Sequence, residues 1–269
     1  MSKIEIKHLT KQFEDKNKVF TALNDVSFTV NSGEFVSIIG FSGCGKSTLL
    51  SLVEGLNTPT QGEILIDGSP VVGTGTDRGV VFQQYSLFPW MTARKNIAFG
   101  IKQMKKGLSR KERLEIADQF LEKVGLADFR DKYPSQLSGG MQQRVAIARA
   151  LAMDTDILLM DEPFGAIDAK NRTVLQELLL QLWEGDGHNR KTVLFVTHDI
   201  DEAILLSDRI IMMRSHPGTV LKEIEVPFSR PRKHTELVQQ PEYTDFRNAL
   251  TGIFFLDIEN RIGGDEVVL

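Results

Sequence analysis

The sequence predicts an α/β fold whose core is divided by a mostly helical insert. Residues 35–39 form an apolar run that would be buried on both faces of a sheet, and a Gly-rich turn and a helical run follow it. From about 86 to 153 the spacing of apolar residues is typical of helices. Strand patterns return at 157–160 and 192–196, with a helix predicted over 170–183, so the α/β core resumes after the insert.

The composition is that of an ordinary globular protein without a positive charge excess. Of the 269 residues, 41% are hydrophobic and 25% are charged, which excludes a chain that is disordered as a whole. The 32 Lys and Arg residues are outnumbered by 36 Asp and Glu residues, and the formal net charge is −4. Because nucleic-acid-binding proteins usually carry a positive excess, we do not expect nucleic acid as a partner.

The sequence predicts neither a membrane span nor a disulfide. It lacks a run of about 18 to 20 apolar residues, the length that a helix needs to cross a bilayer. Its charged N-terminus has no apolar stretch that could serve as the core of a signal peptide. Cys44 is the only cysteine, so no internal disulfide can form. We therefore expect no export, and membrane contact only through a partner.

Two units are expected along the chain, a large domain over 1–229 and a short, partly helical extension over 230–269. Before the insert, short strands are predicted at 4–9, 23–30, 35–39 and 63–66. Ser109 and Glu112 form a capping box that predicts the start of a helix within the insert. Two or three more strands are expected over 209–226. The helix of the extension would hold Phe246, Leu250, Ile253 and Phe254.

A phosphate-binding loop is predicted at 40–48, which read GFSGCGKST. They satisfy G-x-x-x-x-G-K-[ST] between a buried strand and a helix, the context that makes this pattern specific. Glycines let backbone N–H groups approach phosphates, and the helix N-terminus adds a favourable dipole. Lys46 would reach the β- and γ-phosphates, Ser47 would bind Mg²⁺, and Cys44 would contribute only its amide. The residues predicted to bind the nucleotide are Gly40, Ser42, Gly43, Cys44, Gly45, Lys46, Ser47 and Thr48.

An acidic pair follows the next buried strand, where 157–162 read ILLMDE. Open α/β sheets bind ligands at the carboxyl ends of their strands. Asp161 would hold Mg²⁺ through water, and Glu162 would orient the attacking water and accept its proton. The strand at 192–196 leads to His198, which would hydrogen-bond the γ-phosphate or that water.

A second phosphate-binding segment is predicted at 137–144, which read LSGGMQQR and open a helix. Ser138, Gly139 and Gly140 form a helix start that lies too far along the chain to belong to the first loop. The segment resembles the signature motif of the ABC family. Together with the motifs above, it makes the chain similar to ABC transporter ATP-binding subunits over about residues 3–226.

This resemblance implies a P-loop NTPase fold of ABC type, with a RecA-like α/β core, an antiparallel β subdomain and an inserted helical subdomain. It implies ATP and Mg²⁺, and a dimer in which each signature segment binds the ATP held by the opposite subunit. By resemblance, Phe13 would stack on adenine and Gln83 would sense Mg²⁺ and the γ-phosphate. Gln142 would bind with the signature, and Asp168 would act in the loop 164–168 across the dimer seam.

The expected catalytic residues are therefore Glu162, His198 and Gln83, and the expected Mg²⁺ ligands are Ser47, Gln83 and Asp161. Some alternatives stay open. Phe20 is as plausible a stacking ring as Phe13, and either could belong to the core. Gln84 competes with Gln83, although the family pattern favours the first glutamine. The dimer could pair two copies of this chain or this chain with a related one.

The resemblance also implies a membrane partner. Residues 85–90 read YSLFPW, and in ABC importers the corresponding surface receives a short coupling helix of a permease subunit. We expect contact with the permease near Tyr85 to Trp90, although Trp90 could instead pack within the helical insert. The chain would then lie at the cytoplasmic face of the membrane, held there by permease subunits that work with a substrate-binding protein.

Within the family, the run at 73–83 and the later HPG and SRPR segments resemble the importer branch for nitrate, bicarbonate, taurine and other sulfonates, and thiamine precursors. The alternatives are the ATPase of an exporter, or a soluble ABC ATPase that acts on nucleic acid or ribosomes. The chain departs from the usual family pattern at Ile167, where Leu is common, and at Glu54, where Ala is usual.

Overall fold

The fold was obtained as a computed structural model that describes residues 2–15, 18–83, 86–165, 167–185 and 190–262. Gln84, Tyr85 and the end of the predicted extension, 263–269, lie outside the described residues. The strands are β1 Ser2–Asp15, β2 Lys18–Asn31, β3 Phe35–Gly40, β4 Gln61–Ile66, β5 Ser69–Pro70, β6 Arg78–Val81, β7 Ile157–Asp161, β8 Thr192–Thr197, β9 Arg209–Arg214 and β10 Thr219–Glu225. The helices are α1 Lys46–Glu54, α2 Ala93–Met104, α3 Arg110–Lys123, α4 Gly139–Ala152, α5 Ala169–Glu184, α6 Ile200–Leu206, α7 His234–Leu237 and α8 Pro241–Ile262.

The strands form two sheets. An antiparallel sheet has the order β2-β1-β4-β5, and a six-stranded sheet has the order β10-β9-β3-β8-β7-β6. In the second sheet β9, β3, β8, β7 and β6 are parallel, and β10 pairs antiparallel at one edge. This architecture confirms the predicted α/β fold. The first two strands extend well beyond the predicted short runs, because they pair with each other along most of their length.

Alternating side chains of the parallel strands fill two separate cores, as expected for a sheet that is buried on both faces. On one face Val36 and Ile38 of β3 pack with α1 and the antiparallel sheet. On the other face Phe35 and Ile39 pack with α5, α6 and the C-terminal helices. The sheet thus forms the central layer of the molecule, and the carboxyl ends of its parallel strands share one edge.

Helices α2, α3 and α4 lie within the range 86–153 that was predicted as a helical insert, and they have a core of their own. The predicted capping box is present, because Ser109 Oγ accepts the Glu112 N–H and Glu112 Oε2 accepts the Ser109 N–H. This arrangement satisfies two backbone donors at the start of α3 that would otherwise lack intrahelical partners.

The extension packs on the core through α7 and α8. Leu237, Tyr243 and Leu250 are buried in the larger core, and Phe246, Ile253 and Phe254 pack against it. Tyr243 Oη and Arg247 Nε both donate to Asp201 Oδ1 of α6, at 2.6 Å each. The predicted helix with these apolar residues is therefore confirmed, and it is attached to the helix that begins just after His198.

A buried amide, that of Asn96, holds part of the loop that enters the insert. Asn96 is fully buried, its Oδ1 accepts the Phe88 N–H at 2.8 Å, and its Nδ2 donates to the carbonyls of Phe88, Met91 and Thr92 at 3.0 to 3.2 Å. Because the Asn96 side chain makes four hydrogen bonds to the backbone of residues 88–92, it fixes the stretch that carries Phe88 and Trp90.

We predict that Asn96→Ala lowers the free energy of unfolding by about 2–4 kcal/mol, because it removes the hydrogen bonds of a buried amide and leaves the half-buried Phe88 N–H and Met91 carbonyl without their partner. Urea unfolding of the purified chain measures this difference. The matched control is Asn57→Ala, which removes an exposed amide that donates to Ser51 Oγ, and it should change the free energy by less than about 0.5 kcal/mol. Equal effects of the two substitutions would contradict the role assigned to Asn96.

Candidate active site

The candidate site lies at the carboxyl edge of the parallel sheet. β3 leads into the phosphate-binding loop, β7 ends at the acidic pair, β8 leads to His198 and β6 leads to Gln83. These four strands are neighbours in the order β3-β8-β7-β6. Side chains that are more than a hundred positions apart in the sequence therefore meet at one place, where open α/β sheets bind their ligands.

The phosphate-binding loop requires glycine at specific positions. Gly45, the N-cap of α1, has φ 88°, and a Cβ there would come within 2.6 Å of Leu23 Cδ2. A Cβ on Gly40 would come within 2.7 Å of the Met213 carbonyl oxygen. The Cys44 side chain is fully buried, and its burial raises the pKa of the thiol, which fits the predicted role for its backbone amide alone.

Lys46 is folded back onto the loop. Its Nζ donates to the carbonyls of Gly40 at 2.8 Å and Phe41 at 3.2 Å, and the residue is buried. These contacts satisfy the ammonium group at the base of the loop, and a phosphate oxygen can take their place.

Ser47 and Asp161 lie side by side, with Ser47 Oγ donating to Asp161 Oδ1 at 3.2 Å. Burial raises the pKa of Asp161, the hydrogen bond from Ser47 opposes this, and the Glu162 carboxylate adds to it. A hydroxyl oxygen beside a partly buried carboxylate is a set of hard oxygen donors of the kind that Mg²⁺ prefers.

Glu162 is the centre of the site. Its backbone has φ 42°, a left-handed conformation that is uncommon for a residue other than glycine, and its N–H donates to the Val196 carbonyl at 2.9 Å. Its Oε2 lies 3.1 Å from His198 Nδ1 and accepts from Gln83 Nε2 at 3.5 Å. The three residues that the sequence predicts as catalytic are thus brought together around one carboxylate oxygen.

A buried carboxylate that the sequence analysis did not identify supports the turn that carries His198. Glu202 Oε2 accepts from Thr197 Oγ1 at 2.6 Å, and Oε1 accepts from Gln176 Nε2 at 3.0 Å. Asp199, the N-cap of α6, accepts the N–H groups of Asp201 and Glu202. His198 therefore lies between two residues whose side chains are fixed. In the sequence, only the polar residues of THDIDE around His198 could have indicated that the turn is supported in this way.

Arg172 links that turn to the loop at 164–168. Its Nη1 donates to Asp199 Oδ2 at 3.4 Å, and its Nη2 donates to the Ile167 carbonyl at 3.2 Å. Asp168 is the N-cap of α5, where it accepts the Asn171 N–H at 3.1 Å. Arg172 thus connects Ile167, in the loop predicted to lie at the dimer seam, with the turn that carries His198.

The segment Ser138–Gly139–Gly140 forms the start of α4, as predicted. Ser138 Oγ accepts the Met141 N–H at 3.3 Å, and Gln142 Nε2 donates to the Leu137 carbonyl at 3.1 Å. Among the described residues, no hydrogen bond joins this segment to the phosphate-binding loop. The start of α4, the second segment predicted to bind phosphate, is thus not joined by a hydrogen bond to the first in the part of the chain that the structure describes.

Both candidate stacking rings are exposed. Phe13 and Phe20 are direct partners across the β1–β2 pair, and they are 41% and 56% exposed. Lys11 Nζ lies 4.9 Å from the centre of the Phe13 ring. The alternative that either ring belongs to the core is therefore wrong, and the choice between the two rings stays open because they are adjacent.

An apolar groove of about 460 Å³ lies between residues of the core and of the helical insert, and Phe82, Phe88 and Phe99 line it. The Trp90 ring contacts the Phe88 ring at 5.6 Å but is 69% exposed, so packing within the insert does not account for it. Tyr85, the other end of the predicted permease contact, lies outside the described residues.

The C-terminal extension reaches the phosphate-binding loop, a contact that the sequence did not predict. The Phe254 ring of α8 contacts the Phe41 ring of the loop edge-on, with centroids 5.2 Å apart. Helical spacing predicted the apolar face of α8, but only the fold shows that this face ends beside the loop.

Comparison with known proteins identifies the family of this chain. A family model described as "ABC transporter" matches residues 23–165. The chain is 49% identical over 238 residues to the nitrate import ATP-binding protein NrtD of Synechococcus elongatus, covering 88% of this chain and 86% of the relative. It is 44% identical over 265 residues to the bicarbonate transport ATP-binding protein CmpD of a Synechocystis strain, covering 98% and 92%.

A solved structure of the ATP-binding cassette MJ0796, a dimer bound to ADP and Pi, is similar to this chain with a TM-score of 0.74. The identity is 38%, and the match covers 84% of this chain and all of that one. The family match, the relatives and the fold show that the chain belongs to the ABC transporter family as an ATP-binding, ATP-hydrolysing subunit.

Proposed function

We propose that this subunit energises the import of a small anion, such as nitrate, bicarbonate or a sulfonate. The observation that carries the catalytic part is the Glu162 carboxylate, which contacts His198 and Gln83 beside the phosphate-binding loop. The import of an anion is supported by the relatives that are named for nitrate and bicarbonate transport.

In the proposed reaction, Glu162 orients a water molecule and accepts its proton as the water attacks the γ-phosphate of ATP. His198, held by its neighbours in the turn, donates a hydrogen bond to the γ-phosphate or to that water. Lys46 leaves the loop carbonyls and binds the β- and γ-phosphates. Phe13 or Phe20 provides a ring for adenine on the strand pair β1–β2, whose Leu23 lies beside Gly45 of the loop.

Mg²⁺ fits the oxygen donors that lie beside each other at the end of β7. Ser47, Asp161 and Gln83 would hold it, and Ser47 Oγ and Asp161 Oδ1 are already 3.2 Å apart. When bound, the ion neutralises the charge that develops on the phosphates. Gln83 contacts Glu162 as well, so the same amide would respond to both the ion and the base.

We propose that the working form is a dimer in which Ser138, Gly139, Gly140 and Gln142 of one subunit bind the ATP held by the other. Two observations support it. The signature helix start makes no hydrogen bond to the loop of its own chain among the described residues, and MJ0796 was solved as a dimer. Asp168 would lie at the seam, where Arg172 connects its loop to the His198 turn.

A permease is the proposed membrane partner, with a substrate-binding protein beyond it. In the part of the chain that the structure describes, no helix has the length and hydrophobicity needed to cross a bilayer. The exposed Trp90 and the apolar groove beside it provide the docking surface, at the cytoplasmic face of the membrane.

We predict that Glu162→Gln lowers kcat for ATP hydrolysis by about 10²- to 10⁴-fold, because the amide cannot accept a proton. The variant should still bind ATP, and in the presence of ATP it should sediment as a dimer. Hydrolysis and sedimentation of the purified chain measure both effects. Glu63→Gln, which changes an exposed glutamate of β4, is the matched control and should behave as wild type. Rapid turnover by Glu162→Gln would contradict the assignment of the base.

We also predict that ATP hydrolysis by the complete complex depends on the transported solute. The chain would be purified with its membrane subunits, placed in liposomes and assayed with the substrate-binding protein. Nitrate, bicarbonate or a sulfonate should raise the rate, and chloride should serve as the control anion. A rate that no solute and no binding protein changes would favour an exporter or a soluble ABC ATPase instead.

A further inference from the structure

A glutamate lies in the wall of the apolar groove, at the end of α1. Glu54 is only 6% exposed, and it shares the groove with Leu56 and Val80 of the core and with Phe88, Phe99 and Met153 of the insert. A carboxylate in such surroundings is costly unless it is paired. The sequence analysis noted this position only because Ala is usual there in the family.

Glu54 has no partner among the described residues. No hydrogen bond and no ion pair to its carboxylate occurs there, although most buried polar groups in proteins are paired. Burial, to which the nearby Asp161 charge adds, raises the pKa of Glu54 to about 7. Within the described residues, no side chain therefore pairs with this carboxylate.

The two arginines of the groove are engaged elsewhere. Arg78 Nη1 donates to the Val53 carbonyl at 2.7 Å, and its Nε lies 3.1 Å from Asp77 Oδ1. Arg149 Nη1 donates to the Ser86 carbonyl at 2.8 Å. Neither guanidinium group forms a hydrogen bond or an ion pair with Glu54 among the described residues, so neither serves as its partner.

The surface next to the groove is positively charged, opposite in sign to the Glu54 carboxylate. Phe99 lines both the groove and a second depression, which is bordered by the cations Lys95, Lys102, Arg110 and Arg113 and by no acidic residue. None of these four cations forms an ion pair within the described ranges. A strongly basic peptide would be repelled here, whereas Glu54 is the only acidic residue among the described residues that line the groove, so the charge pattern fits a segment with a single cation directed at Glu54.

We propose that Glu54 determines which permease can dock, by pairing with one Lys or Arg side chain that the docking segment of the membrane subunit inserts into the groove. This inference rests on the proposed function, because it takes the permease as the occupant. The aromatic and aliphatic walls bury the apolar part of the segment, and Glu54 selects its charge. A segment with an apolar or acidic residue at that position would leave the buried carboxylate unpaired or repelled.

The test compares complexes of this chain with the membrane subunits of its own transporter in detergent. Glu54→Gln should weaken the complex by about tenfold or more, since it removes one partner of a buried charge pair, and Glu54→Lys should abolish it. The fraction of chain that co-elutes with a tagged membrane subunit over a dilution series measures the affinity. Glu63→Gln and Glu63→Lys on exposed β4 are the matched controls and should bind as wild type.

A second step identifies the partner residue. Each Lys and Arg in the cytoplasmic loops of the membrane subunit would be changed to Glu, one at a time, and tested against Glu54→Lys. Restoration of the complex by one of these changes is expected. Wild-type affinity of Glu54→Gln, or the absence of any restoring change, would overturn the inference.

Controls distinguish the loss of a Glu54 ion pair from misfolding of a variant and from failure of the proposed function. Thermal unfolding and ATP binding of each isolated variant show that it folds, and if Glu54→Lys does not fold, the affinity of Glu54→Gln decides alone. If the wild-type chain itself forms no complex with the membrane subunits, the proposed function fails. If the wild-type chain binds and Glu54→Gln binds equally well, only the role of Glu54 fails.

Discussion

The parallel alignment of β3, β8, β7 and β6 is the constraint on which the rest of the structure depends. It places the ends of four strands at one edge, so that Lys46, His198, Glu162 and Gln83 follow their strands into the same space. The bond from the Glu162 N–H to the Val196 carbonyl fixes the end of β7 against β8. A shift of one residue between these strands would displace Glu162 relative to His198 by about 3.3 Å, the rise of one residue along a strand.

The same alignment connects the candidate site with the groove. Helix α1 begins at Lys46 and ends at Glu54, a length of about 13 Å for nine residues. Gln83 contacts Glu162, while the preceding residue, Phe82, lines the groove. Two short and direct connections thus join the residues proposed to act on ATP to the surface proposed to receive the permease. Under the proposed function, a movement of Gln83 with the bound nucleotide would reach the groove wall through Phe82.

Much of the site was predictable, because the residues that carry it lie next to one another in short segments with a strong local pattern. The loop from Gly40, the acidic pair and the start of α4 each depend on a strand or helix that the apolar spacing indicates. The contact between Glu162 and His198 could be predicted from the sequence only by assuming that β7 and β8 are neighbours. The contact of Phe41 with Phe254 and the unpaired burial of Glu54 could not be predicted, since both depend on how distant elements pack. The strand pattern alone left open whether Phe13 lies in the core, and the exposure of its ring in the structure excludes this.

The central claim is that each ATP site is shared by two subunits, and mixing two defective chains tests it most directly. Lys46→Ala removes the phosphate-binding ammonium, and Ser138→Arg blocks the signature segment, so each variant alone should be inactive. In a mixed dimer, one site has both defects and the other has neither. The account predicts that mixing the two variants restores ATP hydrolysis, with up to about half of the dimers being mixed if subunits pair at random. A mixture as inactive as its components would contradict a shared site.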